Sequence, residues 1–381
     1  MVDGDASVSS LANAGALPPR DFTNAPHRVA EIARLALELP TLGAASDAVS
    51  KAGHFDPQVL EEAVAALCMG HLILAGPPGT GKTSLARALS AAFNVRLIVE
   101  TANPEWSVYD TIGTQTLKAG GEAAPRHGLV TSAVLSCATA MIDQLDKGDG
   151  PQAVWLLIDE MNRADIDRAF GPLFTALAGG SEAGMVLDYM DGRPSLSLPA
   201  RFRIIATVNE YDTRFVNAMS GALRRRFSKV VILPPSNDAD GQSSGAEWKT
   251  AAQTALARTA QTLDKAVPQD AQNLLTAAAP HIREVFGFIR ASQDGSLPIG
   301  TAQLIDVAEY LLTYGAIAGV ADEKSLWPMI DRALVSRLLP GLETDSTRAR
   351  LSQGYLEQFR AKLPSLPRFS DRIEAFLHGL D

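Results

Sequence analysis

The sequence predicts an α/β fold, with a central parallel sheet lying between helices and an all-helical C-terminal domain after it. Three observations carry this. The runs HLILA (His71–Ala75), AVWLLI ahead of Asp159 and RFRIIATV ahead of Asn209 are short and almost continuously apolar, as strands buried on both faces are. Segments of helical period lie between them. Beyond Gly245 only helical patterns remain, punctuated by prolines at 268, 280, 298, 340, 364 and 367.

The elements follow in order. Residues 1–25 open acidic, lack the basic region and apolar core of a signal peptide, and read as a flexible tail. Helices are predicted over His27–Leu39 and Pro57–Met69, the second with Asp56 as N-cap and Pro57 at its first position. They either wall a nucleotide base or simply pack in the core. Strands follow at His71–Ala75, Val95–Glu100, Ala153–Glu160, Arg201–Glu210 and Lys229–Leu233, with helices at Thr131–Leu145 and Asp167–Leu177. Asp191-Gly192 between alternating segments signals a hairpin. The α/β domain is expected over 26–235, a polar linker over 236–245, and a helical lid with a C-terminal extension over 246–381. Within that last part, separate helices are expected at Ala271–Ala279 and His281–Ala291, on either side of Pro280.

Composition narrows the function. With 381 residues, 46% hydrophobic and 20% charged, the chain can bury a sizeable core. A net charge of −9 argues against a surface built for nucleic acid or anionic lipid. Cys68 and Cys137 are too few for a disulfide framework, and the six histidines form no i, i+4 pair, so no protein-ligated transition metal is expected. The longest apolar stretches fall short of the roughly 20 residues a membrane span needs. A cytoplasmic protein is the simplest reading.

The chain is organised around HLILAGPPGTGKTS, His71 to Ser84. Gly76, Gly81, Lys82 and Thr83 stand at the spacing G-x-x-x-x-G-K-T, between an apolar strand and a helical segment. Gly76, Gly79 and Gly81 lack a Cβ, so the backbone through Pro77, Pro78 and Thr80 can curl until its N–H groups face an anion. The helix that begins near Lys82 and runs through Ser84 adds its positive dipole end. Lys82 would reach the β- and γ-phosphates, and the Thr83 hydroxyl would take one position on Mg²⁺. Asp159 and Glu160 close an apolar run at the sheet edge where ligands sit in open α/β folds. There Asp159 would hold Mg²⁺ through its water shell and Glu160 would polarise an attacking water. Asn209 reaches the same edge, suited to orienting the γ-phosphate or the water.

GPPGTGKT, LLIDEMNRAD, IIATVNEYD and ALRRRF, in this order and spacing, resemble an AAA+ ATPase, closely over Pro57 to Leu233 and in architecture beyond. DEMNRA, the hairpin at Gly184 to Leu198 and YDTIGTQTL resemble the MoxR, McrB-type and dynein-related branch, which inserts a hairpin before the sensor strand. The resemblance implies a Walker A loop at Gly76–Thr83, a Walker B pair at Asp159 and Glu160, and a first sensor at Asn209. It also implies an arginine finger at Arg225 or Arg226, with Arg224 a lesser candidate, acting on a neighbouring subunit's site in a ring, most often a hexamer. Asn162 and Arg163 match the branch's N-R pair, which either faces the subunit interface or coordinates the active site. One departure stands out: where many lids carry a second-sensor arginine, LPIGTAQLIDVAEYL has Thr301 and Gln303.

The resemblance implies an oligomeric ATPase using ATP and Mg²⁺ to remodel a macromolecular client, with the net acidity favouring protein. The alternatives are a McrB-like motor, driven by GTP and working with a separate nuclease on DNA, and a slow nucleotide-dependent assembly switch. Trp106, Tyr109 and the Asp191-Gly192 tip are either pore or client contacts, or packing residues.

Overall fold

The structure, a computed structural model, describes residues 32, 35–50, 52–53, 55–119, 121–177, 184–209, 225–291, 299–318, 323–343, 347 and 353–379. The expected N-terminal tail and Arg224 lie outside the described residues.

Helix α1 (Leu42–Ser50) and helix α2 (Pro57–Met69) precede the first strand, β1 (His71–Ala75). Asp56 caps α2, its carboxylate accepting the Gln58 N–H at 2.8 Å. After β1 come α3 (Lys82–Ala92), β2 (Val95–Thr101) and a single helical turn, α4 (Val108–Thr111). A hairpin, β3 (Gly113–Leu117) with β4 (Ala123–His127), leads to α5 (Leu129–Lys147) and β5 (Ala153–Asp159). Helix α6 (Ile166–Leu177) is followed by a second hairpin, β6 (Gly184–Val186) with β7 (Ser195–Ser197), and then by β8 (Ile204–Val208) and β9 (Phe227–Val231).

Five of the strands form one parallel sheet in the order β2-β5-β8-β1-β9. Six of the seven residues of β5 are buried, which is why its sequence is an unbroken apolar run. Trp155 sits fully buried at its middle, and its indole N–H donates to the Arg201 carbonyl at 2.8 Å. Because all five strands run the same way, the ends of β1, β5 and β8 reach a single edge, with Ala75 beside Val208 and Thr101 beside Asp159.

The helix expected over His27–Leu39 does not reach its end, since residues 35–40 have no regular structure. Their backbone is bonded to buried side chains instead. Arg201 Nε donates to the Ala36 carbonyl at 2.7 Å, and the Gln152 amide both accepts the Glu38 N–H at 2.8 Å and donates to its carbonyl at 2.9 Å. These bonds replace the ladder a helix would need, and Pro40 follows.

The two hairpins meet at Tyr189, whose hydroxyl lies 2.8 Å from His127 Nδ1 and whose carbonyl accepts from Gln115. Trp106 packs edge-on against the buried Phe170, ring centroids 6.0 Å apart, so its ring belongs to the domain's packing. Tyr109 remains 65% exposed.

The C-terminal part has its own hydrophobic core. It contains α7 (Gly245–Leu263), α8 (Gln269–Arg290), α9 (Thr301–Ala318), α10 (Glu323–Ala333), a π turn at Leu334–Leu338, α11 (Leu339–Leu342), α12 (Gln353–Lys362) and α13 (Pro367–His378). Pro280 does not end a helix as expected, because α8 runs through it. Leu274, Leu275 and Ala278 before the proline and Ile282, Val285 and Phe286 after it are buried on one continuous face. That packing outweighs the roughly 3 kcal/mol that an interior proline costs. No helix among the described residues is long and apolar enough to cross a membrane.

Candidate nucleotide site

The loop between β1 and α3 lies at the sheet edge where β5 and β8 also end. Gly76 is needed for close approach: a Cβ there would stand 2.1 Å from the Ile232 carbonyl oxygen, while the Ile232 N–H bonds the Ala75 carbonyl at 2.7 Å. Gly79 and Gly81 both take positive φ, 77° and 84°, which turns the chain into the start of α3. Thr80 Oγ1 fastens the loop internally by donating to the Pro77 carbonyl at 3.0 Å. Lys82 Nζ lies over the loop, donating to the carbonyls of Gly76 at 2.9 Å and Pro77 at 2.6 Å.

The acid pair faces this loop. Thr83 Oγ1 donates to Asp159 Oδ1 at 2.9 Å, which joins the first turn of α3 to the end of β5. Glu160 leaves the strand in the left-handed region, φ 54°, so β5 ends one residue earlier than expected and the acids diverge. The Glu160 carboxylate meets Arg163 Nε at 2.8 Å. Asn162, only 5% exposed, makes a reciprocal pair with the backbone of Asn209, donating to its carbonyl at 3.1 Å and accepting its N–H at 3.3 Å. Within this chain, both members of the N-R pair thus turn to the ends of β5 and β8.

Pro78 through Ser84, Asp159, Glu160 and Asn209 line one cleft of about 340 Å³, in the size range of small-ligand sites; Gly76 and Pro77 are buried beside it. Arg225 and Arg226 are not among its lining residues. They stand exposed in the turn ahead of β9.

The C-terminal domain closes the other side. The Ala302 N–H donates to the Gly79 carbonyl at 3.0 Å, and Gln303 Oε1 accepts the Gly300 N–H at 3.0 Å. A buried ion pair holds this helix start in place. Arg290 bonds Glu247 through both terminal nitrogens at 2.7 and 2.9 Å, Thr301 Oγ1 adds a bond to the same carboxylate at 2.8 Å, and Arg290 Nε reaches the Ile299 carbonyl at 3.1 Å. Thr250, Thr254 and Arg258, on successive turns of α7, form part of the wall. Arg258 is 53% exposed and lies 3.6 Å from Asp306 and 3.8 Å from Glu309, distances that leave it exchangeable. Lys82 and Arg258 are the cations among the described lining residues.

Sequence reading did not find Thr207, Arg258, or the Glu247–Arg290 pair. Thr207 sits inside a run read simply as strand, and the others lie on lid helices whose pattern shows only a core face. The i, i+4, i+8 spacing of Thr250, Thr254 and Arg258 was the one available signal.

These residues suit a Mg-nucleotide: a glycine-rich loop backed by a helix N-terminus, a lysine, and a hydroxyl and carboxylate 2.9 Å apart at its side. Fold and site together define an AAA+ P-loop core, a five-stranded parallel sheet between helices joined to a helical C-terminal region. Residues 71–227 match the family model of the AAA domain, dynein-related subfamily. No curated protein matches the chain. Among solved structures it is similar to three variants of RuvB from Thermotoga maritima. Each is 15% identical with a TM-score of 0.40, covering 83%, 86% and 83% of this chain and 78%, 89% and 83% of the other.

Proposed function

We propose that the chain is a ring-forming ATPase of the AAA+ type, hydrolysing ATP to ADP and phosphate to remodel a protein client in the manner of MoxR-type chaperones. The observation that carries the reading is the convergence of Lys82, Thr83, Asp159, Glu160 and Asn209 on one cleft. On this reading Lys82 exchanges the carbonyls of Gly76 and Pro77 for phosphate oxygens, and the loop N–H groups orient the chain of phosphates. Thr83 and Asp159 would hold Mg²⁺, which would supply Lewis-acid neutralisation of the phosphate charge. Glu160 takes the proton of the attacking water, and Asn209, held by Asn162, orients that water against the γ-phosphate. Arg258 supplies a lid-side cation from a helix other than the one where a second-sensor arginine is expected.

Arg225 and Arg226 stand away from the cleft of their own chain and are exposed, which suits an arginine that completes the site of a neighbouring copy. The net charge of −9 favours a protein client over DNA. The test is binding of a fluorescent ATP analogue with Mg²⁺, together with steady-state hydrolysis, for the wild type and for Lys82→Ala. The reading requires Mg-dependent binding and turnover in the wild type, and loss of both in the variant. Equal behaviour of the two proteins contradicts it.

A further inference from the structure

Thr207 lies on β8 two residues before Asn209, and only 1% of it is exposed. Its neighbours Ile205 and Ala206 fill the core, a task that valine, with the same branched shape, would perform equally at position 207. What threonine adds is a hydroxyl, and both of its hydrogen-bonding capacities are used. The proton goes to Asp159 Oδ1 at 2.5 Å, and the oxygen accepts the Glu160 N–H at 2.9 Å. Asp159 Oδ1 therefore receives two hydroxyls, from Thr83 on one side and Thr207 on the other. The second matters because a short hydroxyl bond to a carboxylate, made at the wall of the cleft, is a strong orienting contact. Glu160 stands in the left-handed region, a strained backbone conformation for a residue with a side chain. The bond from its N–H to Thr207 holds that peptide in place.

We infer that Thr207 is a positioning residue of the hydrolytic centre, one hydroxyl fixing the carboxylate that faces the metal and the backbone of the acid that faces the water. The inference rests on the Mg-nucleotide reading of the cleft. In physical terms Thr207 links the two acids so that neither turns without the other.

The test compares Thr207→Val, which keeps the shape and removes the hydroxyl, with Thr207→Ser, which keeps the hydroxyl. The readouts are kcat, the KM for ATP, the Mg²⁺ midpoint for binding of a fluorescent ATP analogue, and the melting temperature. Thr207→Val is expected to lower kcat and to raise the Mg²⁺ midpoint, each by about 10- to 100-fold, the effect of removing an outer-shell partner of a metal ligand. Thr207→Ser is expected to stay within about threefold of wild type in both. Should Thr207→Val not fold, Thr207→Cys, a weaker donor of similar size, takes its place in the comparison. A Mg²⁺ midpoint and kcat unchanged in the valine variant overturn the inference, as does an equal loss in the serine variant, which would mark a packing role. A wild type that binds no Mg-nucleotide overturns the underlying reading, and the inference with it.

Discussion

Ala302 donates its backbone N–H to the carbonyl of Gly79 at 3.0 Å, so the first turn of α9 is bonded directly to the glycine-rich loop. The contact is tight enough to exclude a side chain. A Cβ on Gly300 would lie 2.3 Å from the carbonyl carbon and oxygen of Gly79 and 2.7 Å from the Thr80 nitrogen, all of them backbone atoms. Closure of the cleft by the helical domain therefore depends on a glycine at this position.

Gly300→Ala is accordingly expected to push α9 off the loop and to weaken nucleotide binding about tenfold, roughly 1.4 kcal/mol. Because the clash lies between the two domains, the core of each is expected to stay intact. Equilibrium titration with a fluorescent ATP analogue, set beside a circular dichroism spectrum, checks both halves of this expectation.

Glu160→Gln keeps the size of the side chain and removes the base. Binding of Mg-ATP is expected to stay within a few-fold of wild type, while kcat falls by at least about 100-fold, the lower end of what a positioned general base contributes. A single-turnover experiment separates the two. The same substitution also replaces the charged partner of Arg163, now 2.8 Å from Glu160.

Arg226→Ala, or Arg225→Ala, is expected to abolish turnover with binding retained, since an arginine that stabilises the transition state is worth about 10³ to 10⁵ in rate. If the arginine acts on the next subunit, mixing this variant with Glu160→Gln restores part of the activity. An interface in which the arginine variant supplies the site and the Glu160→Gln chain supplies the arginine then holds both an intact base and an intact arginine, whereas the reverse pairing holds neither. No recovery on mixing, or normal hydrolysis by both arginine variants, sinks the assignment.

Much of this was legible in the chain because local pattern and local structure coincide there. The unbroken apolar run of β5 is a strand buried on both faces, and the loop glycines sit where φ must be positive. Asp56 and Pro57 open α2 as their types require. The misses share a different cause, contacts between residues far apart in sequence. Residues 35–40 lose their helix to Arg201 and Gln152, more than a hundred positions away. Pro280 is tolerated because the face around it packs against other helices. Thr207 has no signature in IIATVNE, since its role is set by Asp159 and Glu160, which are 48 and 47 residues distant.

His71, at the start of β1, carries a pH dependence. Its Nδ1 accepts the Ile204 N–H at 2.9 Å and its ring packs on Phe227. Burial, and secondarily the nearby Arg203 guanidinium, lower its pKa to about 3 from an ordinary value of 6.5. Between those values the unfolded chain binds the proton and the folded chain does not. Stability therefore falls as pH drops from about 6.5 towards 3, by at most about 1.4 kcal/mol per pH unit. Urea midpoints measured across that range are expected to show a shallower fall for His71→Asn, which keeps an acceptor but does not titrate. An unchanged slope would contradict the assignment.

On the proposed function, the cleft hydrolyses nucleotide and is completed by an arginine from a second copy of the chain. Steady-state hydrolysis of ATP and GTP, measured across a range of protein concentrations, tests it most directly. The expected result is an ATP specific rate that rises with protein concentration and then levels off as rings form. A rise for GTP alone would point to the restriction-motor alternative. A specific rate for ATP independent of concentration, in protein shown to be monomeric, would contradict the claim, because a single chain would then be hydrolysing without a neighbour's arginine.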